Sequence, residues 1–228
     1  MAKKRITRKQ LLKEPDEFIT FSGKAIRLAV RYRFQVLSAV AALVLVLLVV
    51  TGIRYVSASA EQKAQTLLEK NLSRYESLLK EKGPKAAHEA VESDFSPIRE
   101  KFSRTDAGRV SNLILANICY RAGSSEKAIA LYNEALKGFS GRSAMEQLIL
   151  SSLGYCYENI KDYQNAIIFF ERAANTPGGI LIDDALFQLG ALYEKTGETE
   201  KSRKAFRTIL SDHPDSMVLD LVQEKIRG

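Results

Sequence analysis

The pattern of hydrophobic and polar positions changes character twice along the chain. Residues 34–53 read FQVLSAVAALVLVLLVVTGI, a run of 20 without a charge. At about 1.5 Å of rise per residue a helix of this run spans about 30 Å, the thickness of a hydrocarbon core. Its apolar residues cover every face, whereas a soluble core helix of this length carries a polar stripe. The run is therefore predicted as a transmembrane helix. Its hydrophilic side chains are Gln35, Ser38 and Thr51, the first and last near the interfaces. Residues 60–82 then take up a mixed pattern, predicted as a long linking helix that Gly83-Pro84 ends. Beyond it, apolar positions recur three and four apart, the mark of successive amphipathic helices. The last stretch, 215–227, places Met217, Val218, Leu221, Val222 and Ile226 at helical spacing, as a helix that caps the preceding ones.

These helices repeat. One copy holds Leu150, Leu153-Gly154, Tyr157, Ala166, Phe170 and Ala173, and Pro177 ends it. The next holds Leu186, Leu189-Gly190, Tyr193, Phe206 and Pro214, with Gly197 at the turn and Ser202 in the place of the packing alanine. An earlier copy has Leu115-Ala116, Gly123, Ala128, Tyr132 and Ala135, with Cys119 where Tyr is expected and Asn112 at the first large apolar position. A degenerate copy runs from Tyr75 through Leu78, Phe95 and Ile98, its second helix interrupted by Pro97. The copies are offset by 37, 38 and 36 residues. This spacing resembles the tetratricopeptide repeat (TPR), in which each unit is a pair of antiparallel helices. Small residues sit where the helices cross, large ones fill the gap to the neighbour, and at least three units are needed to bury a core. The expected fold is all-α: one N-terminal transmembrane helix, a TPR solenoid of three to four helix pairs and a C-terminal capping helix. The expected organisation is a tail at 1–33, the span at 34–53, a linking helix at 54–83 and the repeat domain at 84–228, with the degenerate repeat beginning as early as residue 71.

Charge changes the picture by its placement. Residues 1–33 hold ten Lys or Arg and three acids, which accounts for the whole formal +7, while residues 54–228 hold 24 of each sign. The large domain thus has no basic excess for phosphates, which argues against nucleic acid. Ten basic residues precede the span, and only Arg54, Lys63 and Lys70 follow it closely. The positive-inside rule then puts the N-terminus in the cytoplasm and the repeats across the membrane. A cleavable signal peptide competes with this reading, since Ala58-Ser59-Ala60 fits a cleavage site. Against it stand the 20-residue apolar run and the 33 residues before it, both too long for an ordinary signal. No Cys just after the run offers a lipoprotein anchor. In the tail, Pro15-Asp16-Glu17 followed by Phe18, Ile19, Ala25, Ile26, Ala29 and Val30 fits an interfacial helix with basic residues toward headgroups. A tail without structure remains the alternative. Membrane lipids are expected partners of residues 1–53.

Little in the sequence points to chemistry. Cys119 and Cys156 fall in no metal or redox spacing and read as small buried thiols on helices, with a disulfide left open outside the cytosol. His88 and His213 stand apart from any nucleophile or metal partner in sequence, Asp183-Asp184 suits a helix start, and Pro177-Gly178-Gly179 reads as a turn. Neither an enzyme nor a cofactor nor a metal is expected. The candidate site is instead a binding groove. The first helix of each pair should line a concave face, which selects Asn117, Tyr120 and Arg121 from one copy, Tyr155, Glu158 and Asn159 from the next, and Phe187, Glu194 and Lys195 from the third. Tyr, Phe and Arg anchor interfaces, and Asn suits a peptide backbone. Tyr155 and Phe187 are expected to lie outside the packing core, and Tyr157 and Phe170 within it.

Taken together, the basic tail, the span and the repeats resemble the YfgM-like, translocon-associated TPR family. The residues that carry this resemblance are Phe95-x2-Ile98, Leu115-Ala116-Asn117, Gly123, Lys127-Ala128-Ile129 and Tyr132. The resemblance implies a single-pass protein of the bacterial inner membrane whose periplasmic repeats associate with the export channel and with periplasmic chaperones, as an adaptor or chaperone-like subunit. Two other classes stay open: an envelope scaffold for cell-wall synthesis or division, and an organelle import receptor, which the basic tail disfavours.

Overall fold

The computed structural model describes Gly23, Arg27 and residues 30–227. The interfacial helix expected in the tail lies outside the described residues. The chain divides into two compact units, Met1–Ser57 and Ala58–Gly228. Helix α1, Arg33–Val91, supplies residues to both.

In the first unit every residue from 30 to 57 is exposed. Its hydroxyls bond within the helix: Ser38 donates to the Gln35 carbonyl at 2.9 Å, and Thr51 donates to that of Leu47. Such back-bonding satisfies these two hydroxyls within the helix. By length and composition this helix is able to cross a membrane.

The second unit begins earlier than the linking-helix expectation allowed. Ala64, Leu68, Asn71 and Tyr75, three and four apart along one face of α1, are buried and share a core with Ala87, Val91, Phe95 and Ile98. This part of α1 is thus the first helix of the first pair. Gly83, at φ 78° and ψ 175°, breaks α1 as its sequence predicts, and Pro84 restarts it. The second arm of the pair is itself broken by a 3-10 turn, Glu92–Phe95, after which Pro97 opens α2, Ser96–Lys101. Asn71 donates to the Asp94 carbonyl at 2.7 Å and so ties the break to α1.

Three regular pairs follow: α3 (Asp106–Arg121) with α4 (Ser125–Gly138), α5 (Ser143–Asn159) with α6 (Tyr163–Ala174), and α7 (Ile182–Lys195) with α8 (Thr199–Asp212). Each pair closes through one turn design. Gly123, Lys161 and Gly197 occupy equivalent sites at φ 81°, 63° and 82°. The next amide in each case reaches back to the first helix, Ser124 to Cys119, Asp162 to Tyr157 and Glu198 to Tyr193, at 2.9, 2.9 and 2.7 Å. This is the six-to-one bond that ends a helix at a left-handed residue.

The crossings show why the repeat pattern demands glycine. A Cβ on Gly154 would lie 2.6 Å from the Phe170 ring, and one on Gly190 would collide with that of Phe206. Each ring rests on bare backbone. Asn112, at a nominally apolar position, accepts from Arg99 at 2.6 Å, which satisfies its polarity. Tyr157 departs from expectation: it is half-buried and stacks on Phe169 at 5.2 Å, while Phe170 is fully buried. The last helix, α9, Leu219–Arg227, starts later than predicted, because the Ser216 hydroxyl accepts from the Val218 amide and holds a turn there. Only Val222 of its apolar face is fully buried.

Candidate functional site

The first helices of the regular pairs, α3, α5 and α7, bring their C-terminal ends together around a cleft of about 280 Å³. It is lined by Tyr120, Tyr155, Glu158, Asn159, Lys161, Tyr163 and Lys195. Five of the nine candidate groove residues therefore meet at one place. Tyr163 and Lys161 were not among the candidates. They belong to the turn and the second helix of the middle pair, and only their adjacency to Asn159 could have drawn them in.

The walls of the cleft are fixed by internal bonds. Lys195 Nζ lies 3.5 Å from Glu158 Oε1 and 4.5 Å from the Tyr163 ring centroid. Contact with Tyr163, reinforced by Glu158, raises the Lys195 pKa, so the ammonium is a permanent cation facing a π-surface. Asn159 Nδ2 donates to Ser125 Oγ at 2.7 Å. The Tyr155 hydroxyl donates to Asp184 Oδ2 at 3.1 Å, and burial, with Asp184 adding to it, pushes that phenol upward. Tyr120 is 37 % exposed at the cleft mouth, and its phenol is also raised by burial. Donors, acceptors and aromatic faces thus alternate over a short distance along the cleft.

The other four candidates do not line this cleft. Asn117 accepts from the Tyr132 hydroxyl, Arg121 is exposed, and Glu194 pairs with Lys225 of α9 at 2.7 Å. Phe187 packs against Phe206 with ring centroids 5.9 Å apart. Tyr155 also meets a core ring, Phe170, edge-on at 5.0 Å. The expectation that Tyr155 and Phe187 lie outside the packing core is therefore corrected: both are half-buried, each with one face on the core.

His88 requires a second correction. It is buried, with Nε2 at 3.3 Å from Cys119 Sγ and 3.5 Å from the Glu92 carboxylate, which Lys127 grips at 2.8 and 2.9 Å. The partner was hidden because 31 residues, which include the 3-10 turn and the whole of α2, separate it in sequence. Both neighbours address the same ring nitrogen. Burial pushes the Cys119 thiol to about 11 and that of Cys156 to about 12, so both are protonated thiols near neutral pH. Both cysteines are free and buried. Among the described residues no three His, Cys, Asp or Glu side chains converge as a metal-ion set.

Known proteins give the same reading at the level of the repeat. One tetratricopeptide-repeat model matches residues 120–180 and a second matches residues 184–216. These models do not single out the translocon-associated family. No match was found among curated proteins. Among solved structures, the crystal structure of MamA aligns over 61 % of this chain and 74 % of its own at 18 % identity and a TM-score of 0.47. That of BtubC from P. vanneervenii aligns over 62 % of this chain and 56 % of its own at 19 % identity and the same TM-score. The matched models, the glycine-on-ring crossings and the paired helices agree: residues 120–180 and 184–216 of this chain are tetratricopeptide repeats, the framework of a protein-interaction scaffold.

Proposed function

We propose that the protein is a membrane-anchored adaptor whose repeat cleft captures a peptide segment of a partner at the protein-export channel. The span at 34–53 is the uncleaved anchor, the basic tail stays in the cytoplasm, and the repeats stand in the periplasm of a bacterial inner membrane. The observation that carries the binding function is the convergence of Tyr120, Tyr155, Glu158, Asn159 and Lys195 on one cleft. A strand or helix laid there meets an aromatic mouth, a fixed cation and two amide or carboxylate acceptors. Export-channel subunits and periplasmic chaperones are the partner class, in line with the arrangement of tail, span and repeats. The side chains to alter are the exposed ones. Tyr120→Ala with Lys195→Gln should weaken partner capture while the helical fold holds by circular dichroism, since both side chains are more than a third exposed. A photo-crosslinking amino acid at position 120 should trap a channel subunit or chaperone in cells, whereas one at exposed Lys204 on α8 should not. Crosslinks from 120 to cell-wall synthases instead would place the scaffold elsewhere in the envelope. Equal labelling from both positions would remove the cleft from the binding function.

A further inference from the structure

The turn of the middle pair departs from its two counterparts. Gly123 and Gly197 hold φ 81° and 82° in the first and third regular pairs, and Lys161 holds φ 63° at the equivalent place. Glycine takes the left-handed region freely, whereas a residue with a Cβ is strained there. The lysine is exposed, so burial gives nothing back for that strain. Ion pairing gives nothing back either: among the described residues no carboxylate pairs with Lys161. A strained backbone that the surrounding fold does not exploit points to a role in binding.

What Lys161 does have is a place in the wall of the cleft. The charges around it leave it uncompensated. Lys195, the other cation of the wall, is balanced by Glu158 at 3.5 Å. The remaining acids nearby are engaged. Asp162 caps α6 by accepting from the Asn165 amide at 3.2 Å and from its Nδ2 at 2.6 Å. Asp184 accepts the Tyr155 hydroxyl, Glu194 pairs with Lys225 at 2.7 Å, and Glu198 pairs with Lys201 at 2.5 Å. Arg121 and Glu126, exposed on either side of the first turn, are one of each sign. The cleft wall thus carries one excess positive charge, at the strained residue. Next to it in sequence, Asn159 donates Nδ2 to Ser125, which keeps Oδ1 as its acceptor for a passing main-chain amide. An unpaired ammonium beside a main-chain acceptor calls for a carboxylate on a side chain of a segment that runs on past it. A basic segment would meet like charge at Lys161, and a neutral one would draw nothing from it.

We infer that Lys161 is a binding residue of the cleft, and that the segment held there carries an aspartate or glutamate side chain that pairs with it. The inference rests on the peptide-binding reading of the cleft, and the test separates the two. The full chain, purified in detergent, is used to select from two phage libraries of random short peptides. In one the carboxyl end of the peptide is fused to the coat protein, and in the other it is free. Selected peptides are synthesised with a fluorescein label and titrated by fluorescence anisotropy against the unaltered chain, Lys161→Gly, Lys161→Asn and Lys161→Arg. Asparagine tolerates the left-handed turn without bringing a charge, and circular dichroism checks that each variant folds. Peptides from the fused library should share an acid at one position and bind Lys161→Gly and Lys161→Asn about tenfold more weakly, with affinity kept by Lys161→Arg. Glutamine in place of that acid should cause the same loss on the unaltered chain and no further loss on Lys161→Asn, as coupled partners require. Selected peptides without a shared acid, or with equal affinity for all four chains, overturn the role of Lys161 while peptide capture stands. Selection from the free-ended library alone, with the terminal carboxylate as the shared group, overturns the assignment to a side chain. Failure of both libraries to yield a binder overturns the peptide-binding reading, and this inference with it.

Discussion

At the crossing glycines packing leaves no room for a single methyl group. Gly154→Ala must move the Phe170 ring or part the helices, which should cost about 1–3 kcal/mol. Phe170→Ala leaves a cavity at a fully buried site, for about 3–5 kcal/mol, whereas Tyr157→Ala, half-buried, should cost only about 1 kcal/mol. Urea denaturation of the three variants orders them, and a Tyr157 variant as damaging as the Phe170 one would contradict the observed burial. Gly154, Ala166 and Phe170 were legible in the sequence because their spacing is dictated by close approach of two helices. Tyr155 and Phe187 were misjudged because a residue beside the crossing touches both core and groove, and spacing alone does not apportion it. The buried His88–Cys119 contact was illegible for a different reason, being a product of tertiary packing between pairs. Near it, the hydrogen bond from Lys127 holds the Glu92 carboxyl below its ordinary value. A lowered folded-state value stabilises above the usual carboxylate range and fades as pH falls through it. Lys127→Met should therefore lower the melting temperature slightly at pH 7 and converge with the unaltered protein in acid. A gap that persists in acid would mean that the lysine acts through its stem.

At the scale of elements, the turn of the middle pair is the exception. Gly123 and Gly197 take positive φ without penalty, but Lys161 holds the same conformation with a Cβ. A left-handed non-glycine residue costs roughly 1–2 kcal/mol, part of which glycine's greater unfolded freedom offsets. Lys161→Gly should thus stabilise the domain by about 0.5–1 kcal/mol, read as a rise in the denaturation midpoint. A fall would show that the lysine side chain contributes more than its backbone costs. Helix identity was largely legible here, since periodicity, Gly83-Pro84 and the turn glycines all announce themselves. The role of residues 58–82 was not. Their buried stripe includes Asn71, whose amide is occupied by the Asp94 carbonyl, and a polar member blurs an apolar stripe when its partner lies 23 residues away. The late start of α9 escaped for a similar reason, since the Ser216 turn competes locally with helix.

For the whole molecule, the division at Ala58 makes a direct prediction. A fragment of residues 58–228 should be helical by circular dichroism and melt cooperatively. A fragment of residues 84–228, the repeat domain as its sequence delimits it, lacks Ala64, Leu68 and Tyr75 from the shared core and Glu61 from the start of α3. It should melt well below the longer one or without a cooperative transition, and equal melting would return residues 58–82 to the rank of a linker. The apolar run and the amphipathic helices that follow it were readable from hydropathy alone, because those patterns are set by solvent. The boundary within α1 depends on which residues meet across helices, and that needs coordinates. Glu61 has one more consequence. If residues 34–53 anchor the protein as proposed, any pull from a bound partner enters the second unit at Ala58, beside a carboxylate that clasps two amides of α3. Neighbouring pairs in such an array hold only each other. Under load the clasp at Glu61 should part first and the pairs then peel away in order from the tether, so that this one side chain sets the force at which the scaffold begins to yield.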